Sequence, residues 1–184
     1  VKAQDTLNAS VREAVEEALV QLMRDRSFGR ITVSEITQRA GVARSSFYRN
    51  YASREDVLTG WMNRIYDRFF ADHPDAVHIY NREKARGAIM LRNRFIRENE
   101  DFFSALIRSN MLYYVFQHLS PDNKKRMFGI NFEEDSYFCA QLIGGTTALV
   151  EKWVSSGFEK SEAWMTEYTL RSLELQKKII DTML

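Results

Sequence analysis

The sequence predicts an all-α protein, a small three-helix N-terminal head followed by a larger helical bundle, and three observations carry the prediction. Apolar residues recur at three- and four-residue steps along most of the 184 residues, the spacing of one helix face. Two prolines and eight glycines are too few for the frequent turns of an all-β protein. A content of 45% hydrophobic and 12% aromatic residues gives those helices a sizeable core to build and argues against disorder.

The first helix is expected over residues 6–26. Leu7, Val11, Ala14, Val15, Ala18, Leu19 and Leu22 form one apolar stripe, with Glu13, Glu16 and Glu17 mostly off it. Ser27-Phe28-Gly29 ends it, the glycine being available for a left-handed C-terminal conformation. Thr32 then precedes a short helix over 33–40, and Glu35 three residues on completes the pattern of a capping box. Gly41 makes the turn into a third helix, which begins at Ala43 or Arg44 and runs to about Asn50.

Ser53 is an N-cap for a longer fourth helix, with Glu55 and Asp56 in its first turn to match the helix dipole. Val57, Leu58, Trp61, Met62, Ile65 and Phe69 keep helical spacing until Pro74. Further helices are expected over 81–98, 101–109, 111–119, 132–156 and 161–184, with breaks near Asn99, Asn110, Ser120-Pro121-Asp122, Gly129 and Gly157. The organisation read from this is a head at 1–52, a connector helix at 53–73 and a helical body at 74–184.

Charge is uneven along this plan. Residues 24–54 hold seven arginines against two acids, Asp25 and Glu35, on a chain whose total is only +1. A basic N-terminal segment on a slightly acidic body is the asymmetry of a nucleic-acid reader. The single cysteine, Cys139, allows neither an intrachain disulfide nor a thiolate metal cluster, which fits the reducing cytoplasm. No signal-type apolar run and no stretch near the ~20 apolar residues of a membrane span occur, so a cytoplasmic protein with no membrane partner is expected. His73 and His78 flank Pro74-Asp75 at a spacing that is not a helical ligand pair, and no metal or cofactor is expected. With no Gly-x-Ser-x-Gly elbow, Walker loop or Gly-x-Gly-x-x-Gly, the sequence offers no catalytic constellation and reads as a non-enzyme.

The third helix concentrates the candidate chemistry. At about 100° per residue, Arg44, Ser45, Tyr48 and Arg49 share one arc while Phe47 points the other way, toward Val42, Ile36 and Ile31. Arginine pairs bidentately with guanine O6 and N7 or with phosphate. Serine and tyrosine hydroxyls suit phosphate, which sets orientation more than sequence. Thr32 stands at a helix N-terminus, where exposed N–H groups favour a phosphate, and Arg54 at the start of the next helix could clamp the same strand.

On these residues the chain resembles the tetracycline-repressor (TetR-like) family of bacterial one-component regulators. The matching residues are Ile31-Thr32-Val33, Ile36, Ala40-Gly41-Val42, Ser46-Phe47-Tyr48, Tyr51 and Ser53-Arg54-Glu55-Asp56-Val57-Leu58, within about residues 7–60. The resemblance implies a helix-turn-helix head in which Tyr48 touches phosphate, Thr32, Ser46, Asn50 and Arg54 often do likewise, and Arg44, Ser45 and Arg49 face the groove. Two positions depart from the pattern: Asn50 stands where histidine is common, and Tyr51 where phenylalanine is common.

The resemblance also implies that the body forms a homodimer and often encloses an effector pocket. The residues agree on association: Phe138, Leu142, Leu149 and Trp153, with Trp164, Tyr168, Leu173 and Ile180, are more apolar surface than one thin bundle needs. Gly144-Gly145 in mid-helix costs roughly 1 kcal/mol each relative to alanine, a cost usually accepted where helices or subunits approach closely. The dimer interface is therefore expected at Phe138, Leu142, Gly145, Leu149, Trp153, Trp164 and Tyr168. The phrase from Gly144 to Trp153 resembles the body of a TetR-like subgroup common in Gram-positive bacteria. Phe69, Phe95, Phe102, Phe103, Tyr113, Tyr114 and Phe138 are the aromatic residues expected to line a pocket for a small apolar or aromatic effector.

The expected function is a transcriptional regulator, usually a repressor in such a family, binding a pseudo-palindromic double-stranded DNA operator as a homodimer. The alternative is an all-helical interaction protein or co-activator acting mainly through a protein partner.

Overall fold

The structure is a computed structural model that describes residues 2–72, 82–128 and 137–183. The described residues form ten α-helices and no strand: α1 (Lys2–Asp25), α2 (Val33–Ala40), α3 (Arg44–Asn50), α4 (Arg54–Asp72), α5 (Arg82–Glu98), α6 (Glu100–Arg108), α7 (Leu112–Gln117), α8 (Pro121–Phe128), α9 (Tyr137–Ser155) and α10 (Glu162–Met183). A 3-10 turn, Phe28–Arg30, separates α1 from α2. His73, Pro74, Asp75, His78 and Gly129, named above, lie outside the described residues.

Local chemistry sets the boundaries in the head. Thr32 caps α2 through a complete capping box with Glu35. Gly41 ends α2 at φ +65°, with its N–H on the Gln38 carbonyl and the Val42 N–H on that of Thr37, a Schellman closure. Ser53 and Asp56 exchange hydrogen bonds at the start of α4, Asp56 N–H to the Ser53 hydroxyl at 3.0 Å and Ser53 N–H to the Asp56 carboxylate at 3.1 Å. Gly29 differs from the expectation. It sits inside the 3-10 turn, and the positive-φ glycines are Gly41 and Gly157. Phe28, 4% exposed, holds that turn by packing inward, so no left-handed residue is required there.

By packing the chain divides into two compact units, Val1–Tyr66 with Asp101–Leu119, and Asp67–Glu100 with Ser120–Leu184. Boundaries at 52 and 73 follow the chain, whereas this division follows contacts: α6 and α7, read along the sequence as body, pack with the head. In the first unit the Phe28 N–H donates to the Ser109 hydroxyl at 2.9 Å, and Trp61 meets Phe102 at 4.1 Å between ring centroids. Leu19, Met23, Ile31, Ile36, Phe47, Leu58, Met62, Phe103 and Phe116 are its largest fully buried side chains. Glu16 is a correction to the amphipathic reading of α1: its side chain is only 3% exposed, paired with Arg64 and Tyr51.

The second unit is built on α5 against α10. Ala85 and Ile89 pack on Leu170, with Leu173 alongside. A buried hydrogen bond from the Asn93 amide to the Thr166 hydroxyl, 3.2 Å, fixes the register of the two helices. The helix α8 starts where the sequence suggested only a break. Pro121 is its first residue and Ser120 accepts from the Asn123 N–H at 3.2 Å, the arrangement in which proline starts a helix rather than stopping one. At the end of α9, Gly157 at φ +65° and the Phe158 N–H on the Trp153 carbonyl close a second Schellman motif, with the Phe158 ring 4.8 Å from that of Trp153.

Candidate nucleic-acid interface

Helix α3 is held from one side only. Phe47 has no exposed surface, and full burial of such a ring is worth roughly 1.5–3 kcal/mol. Its edge meets the Tyr48 ring at 5.2 Å. The opposite arc is open: Arg44, Ser45, Tyr48 and Arg49 are exposed, Tyr48 by 51%. The Arg44 guanidinium lies 5.7 Å from the Tyr48 ring centre and reaches its hydroxyl at 3.4 Å. Arg49 donates to the Ser45 carbonyl at 3.4 Å and to the Ser46 hydroxyl at 3.3 Å. All these contacts are long, so they orient the two guanidinium groups yet can be exchanged for an anionic partner. The result is two cations and three hydroxyls on about two turns of one helix, with no acid among them.

Ser46 and Asn50 are half-buried at the edge of this arc, and the Asn50 amide donates back to the Ser46 carbonyl at 2.8 Å. Thr32 is engaged more heavily than its position suggests. Its N–H and its hydroxyl both reach Glu35 Oε2 at 2.8 Å, and the hydroxyl accepts from the Glu35 N–H at 3.2 Å. These hydrogen bonds, with Arg26 beside the other oxygen, hold the Glu35 carboxyl below its ordinary range. The positive end of α2 therefore already faces a carboxylate of its own chain. Arg54 also turns inward: it donates to the carbonyls of Phe28 and Ile31 and lies 4.9 Å over the Phe28 ring. It ties the 3-10 turn and the start of α2 to the first turn of α4.

The remaining candidates separate into two groups. Phe102 and Phe103 are buried in the first unit, where Tyr113 is 42% exposed and Tyr114 stacks on His118 at 4.0 Å. Phe69 and Phe95 meet at 6.3 Å in the second. Phe102 and Phe103 likewise meet, at 5.7 Å between ring centres in the first unit, and the Phe138 side chain lies outside the described residues. Of the expected association residues, Leu142 and Trp153 are buried inside the second unit. The Trp153 indole N–H donates to the Lys160 carbonyl at 2.7 Å, with Arg97 5.7 Å from its ring centre. Gly145, Trp164 and Tyr168 face outward, the latter two stacked at 5.1 Å and nearly half exposed. Gly145 and Tyr168 line an open groove of about 390 Å³ between α9 and α10, with Leu149, Lys152, Thr169, Ser172 and Leu173. A Cβ placed on Gly144 or Gly145 would meet nothing within 4 Å among the described residues, so no close approach among them accounts for either glycine.

Among the described residues no three His, Cys, Asp or Glu side chains gather as metal ligands, and no helix is long and apolar enough to cross a membrane.

A short buried-Phe helix, set after a capped helix and a left-handed glycine and presenting a cationic arc, defines a helix-turn-helix head. Residues 16–59 match the family model described as bacterial regulatory proteins, tetR family. That match covers the helix-turn-helix head, so residues 16–59 are similar to the DNA-binding head of that family. It is 29% identical over 116 residues to the HTH-type transcriptional regulator YxbF of Bacillus subtilis (strain 168), a match covering 59% of this chain and 29% of that protein. It is 32% identical over 60 residues to the HTH-type transcriptional regulator AlkX of Mycobacterium tuberculosis, covering 33% of this chain and 28% of that one. The chain thus matches under a third of the length of either curated relative. In fold it is similar to a TetR transcriptional regulator from Rhodococcus sp. RHA1, with a TM-score of 0.61, 17% identity and coverage of 91% of this chain and 95% of that one.

Proposed function

We propose that this protein is a DNA-binding transcriptional regulator, acting as a repressor in the cytoplasm, that reads a pseudo-palindromic operator as a homodimer. The observation that carries the reading is the exposed arc of Arg44, Ser45, Tyr48 and Arg49 on a helix anchored by the fully buried Phe47. A helix of this size fits the major groove, where arginine reads guanine and hydroxyls find phosphate. Thr32, Ser46, Asn50 and Arg54 support the arc, Arg54 chiefly by fixing the turn ahead of α2. Association through α9 and α10 is supported by the outward Trp164 and Tyr168 and by Gly145, where a second copy could approach closely. An effector that prefers one position of the connector helix shifts operator affinity tenfold with about 1.4 kcal/mol of differential binding. Phe69 and Phe95 supply aromatic surface beside that helix's C-terminal half.

The test is selection of duplexes from a random-sequence pool, followed by titration at several salt concentrations. An enriched inverted repeat, bound with affinity that falls steeply with salt, supports the reading. A pool with no enriched sequence and salt-independent retention overturns it.

A further inference from the structure

The buried Glu16 and Tyr51 and the half-buried Arg64 form a polar trio that the groove-facing arc does not use. Three elements meet at it: Glu16 lies on α1, Tyr51 directly follows α3, and Arg64 lies on α4. The Tyr51 hydroxyl donates to Glu16 Oε1 at 2.5 Å, and Arg64 pairs with Glu16 Oε2. The Glu16 side chain is 3% exposed and Tyr51 8%. Burial pushes the Glu16 carboxyl up, while the Tyr51 hydrogen bond and the charges of Arg64 and, less strongly, Arg12 pull it back.

The surroundings are shaped to this contact. Gly60 stands one turn before Arg64 on the same face of α4, and a Cβ there would lie 3.2 Å from the Tyr51 ring and 3.5 Å from Glu16 Oε1. The helix reaches the trio through the residue with no side chain. Tyr51 in turn is fixed to the last turn of α3: its N–H donates to the Phe47 carbonyl at 2.9 Å, and its ring centre is 6.0 Å from that of Phe47. A shift of Tyr51 is therefore a shift of the residue that anchors the reading helix.

An ion pair with one buried and one half-buried partner contributes little net stability, because desolvation of the carboxylate and solvent screening of the guanidinium offset the attraction. What it adds is direction, since a carboxylate held by one hydroxyl and one guanidinium tolerates only a narrow range of helix positions. We infer that the Glu16–Tyr51–Arg64 trio is the joint that registers α4 on the reading helix, making the three positioning residues for DNA recognition. The inference rests on the DNA-binding reading proposed above.

The test uses a duplex selected on the unmodified full chain and compares three variants at a temperature where circular dichroism shows all to be folded. Glu16→Gln combined with Arg64→Met removes both charges together. It should unfold as cooperatively as the parent, bind the duplex about tenfold more weakly with unchanged base preference, and speed amide exchange at Phe47 and Tyr51 but not in the middle of α1. Tyr51→Phe, which removes one oxygen and keeps the ring, should weaken binding several-fold, whereas Arg64→Lys, which keeps the charge beside Glu16, should retain most of the parent's binding. Binding by both the double variant and Tyr51→Phe within about twofold of the parent overturns the joint. Should the double variant fail to fold, unchanged binding and exchange in Tyr51→Phe overturn it alone. A parent that selects no duplex removes the DNA-binding reading and the joint with it, whereas a parent that binds beside indifferent variants removes only the joint.

Discussion

The two outward faces of this chain are opposites in chemistry. Helix α3 is seven residues long, hides a single ring and presents guanidinium and hydroxyl groups. Helix α10 is 22 residues long and leaves Trp164, Tyr168 and Leu175 exposed beside a groove. A cationic arc of flexible side chains is well solvated alone and gains most from a polyanion that releases counterions. Exposed stacked aromatics gain most from being covered by another apolar surface. The contrast teaches that one chain presents two chemically different surfaces, and that substitutions in each should leave different signatures.

The largest effect is expected where the cationic face is anchored. Phe47→Ala removes a fully buried ring, which should cost about 3–5 kcal/mol and lower the head's denaturation midpoint sharply. A midpoint within error of the parent would mean that α3 is not held by this ring. Next comes the apolar face. Trp164→Glu should weaken self-association by roughly 2–4 kcal/mol, the range of a central aromatic anchor, while leaving monomer stability nearly unchanged. Sedimentation equilibrium checks it, and a variant that associates like the parent would locate the contact elsewhere. Smaller changes should divide the cationic arc itself. Arg49→Ala should relax the preference at one base pair by roughly 1–3 kcal/mol, whereas Tyr48→Phe should weaken binding about equally across sequences. Competition titrations with single-base operator variants separate the two, and an unchanged preference in Arg49→Ala would deny it a base contact.

The smallest expected effect concerns the cap beneath the arc. The Glu35 carboxyl is held below its ordinary value by the Thr32 N–H and hydroxyl and by Arg26, so the folded head binds fewer protons there than the unfolded chain. Its contribution is present above about pH 4.5 and is lost as pH falls through the lowered value. Glu35→Gln should flatten that acid limb in denaturation midpoints taken between about pH 6 and pH 3. A limb as steep as the parent's would assign the slope to other carboxylates.

How much could be read in advance depended on the range of the interactions involved. Residues 33–40 were legible to the residue, and 44–50 to about one residue, because their ends are set by neighbours: Thr32 with Glu35, and Gly41 in its left-handed turn. The outward turn of Tyr48 and inward turn of Phe47 follow from helical periodicity alone. Pro121 misled, since a proline that starts a helix and one that stops it look alike until Ser120 is seen to cap. Glu16 was read as solvated because its hydroxyl partner lies 35 residues away. The one available signal was Tyr51 itself, a phenol in an aromatic position that needs an acceptor once buried. Arg54 was read by its charge, but besides Glu55 it reaches the backbone carbonyls of Phe28 and Ile31, which no residue pattern announces. Periodicity also could not say that Trp153 turns into its own unit while Trp164 turns out.

That last difference has an optical consequence. The chain holds three tryptophans, and each sits in a different setting: Trp61 against Phe102 in the first unit, Trp153 sealed in the second with its indole N–H on a carbonyl, and Trp164 nearly half exposed on α10. Fluorescence from single-tryptophan versions would therefore follow the head's melting, the body's melting and the wetting or covering of α10 as three separate emission signals. The molecule comes supplied with a native probe for each of its faces.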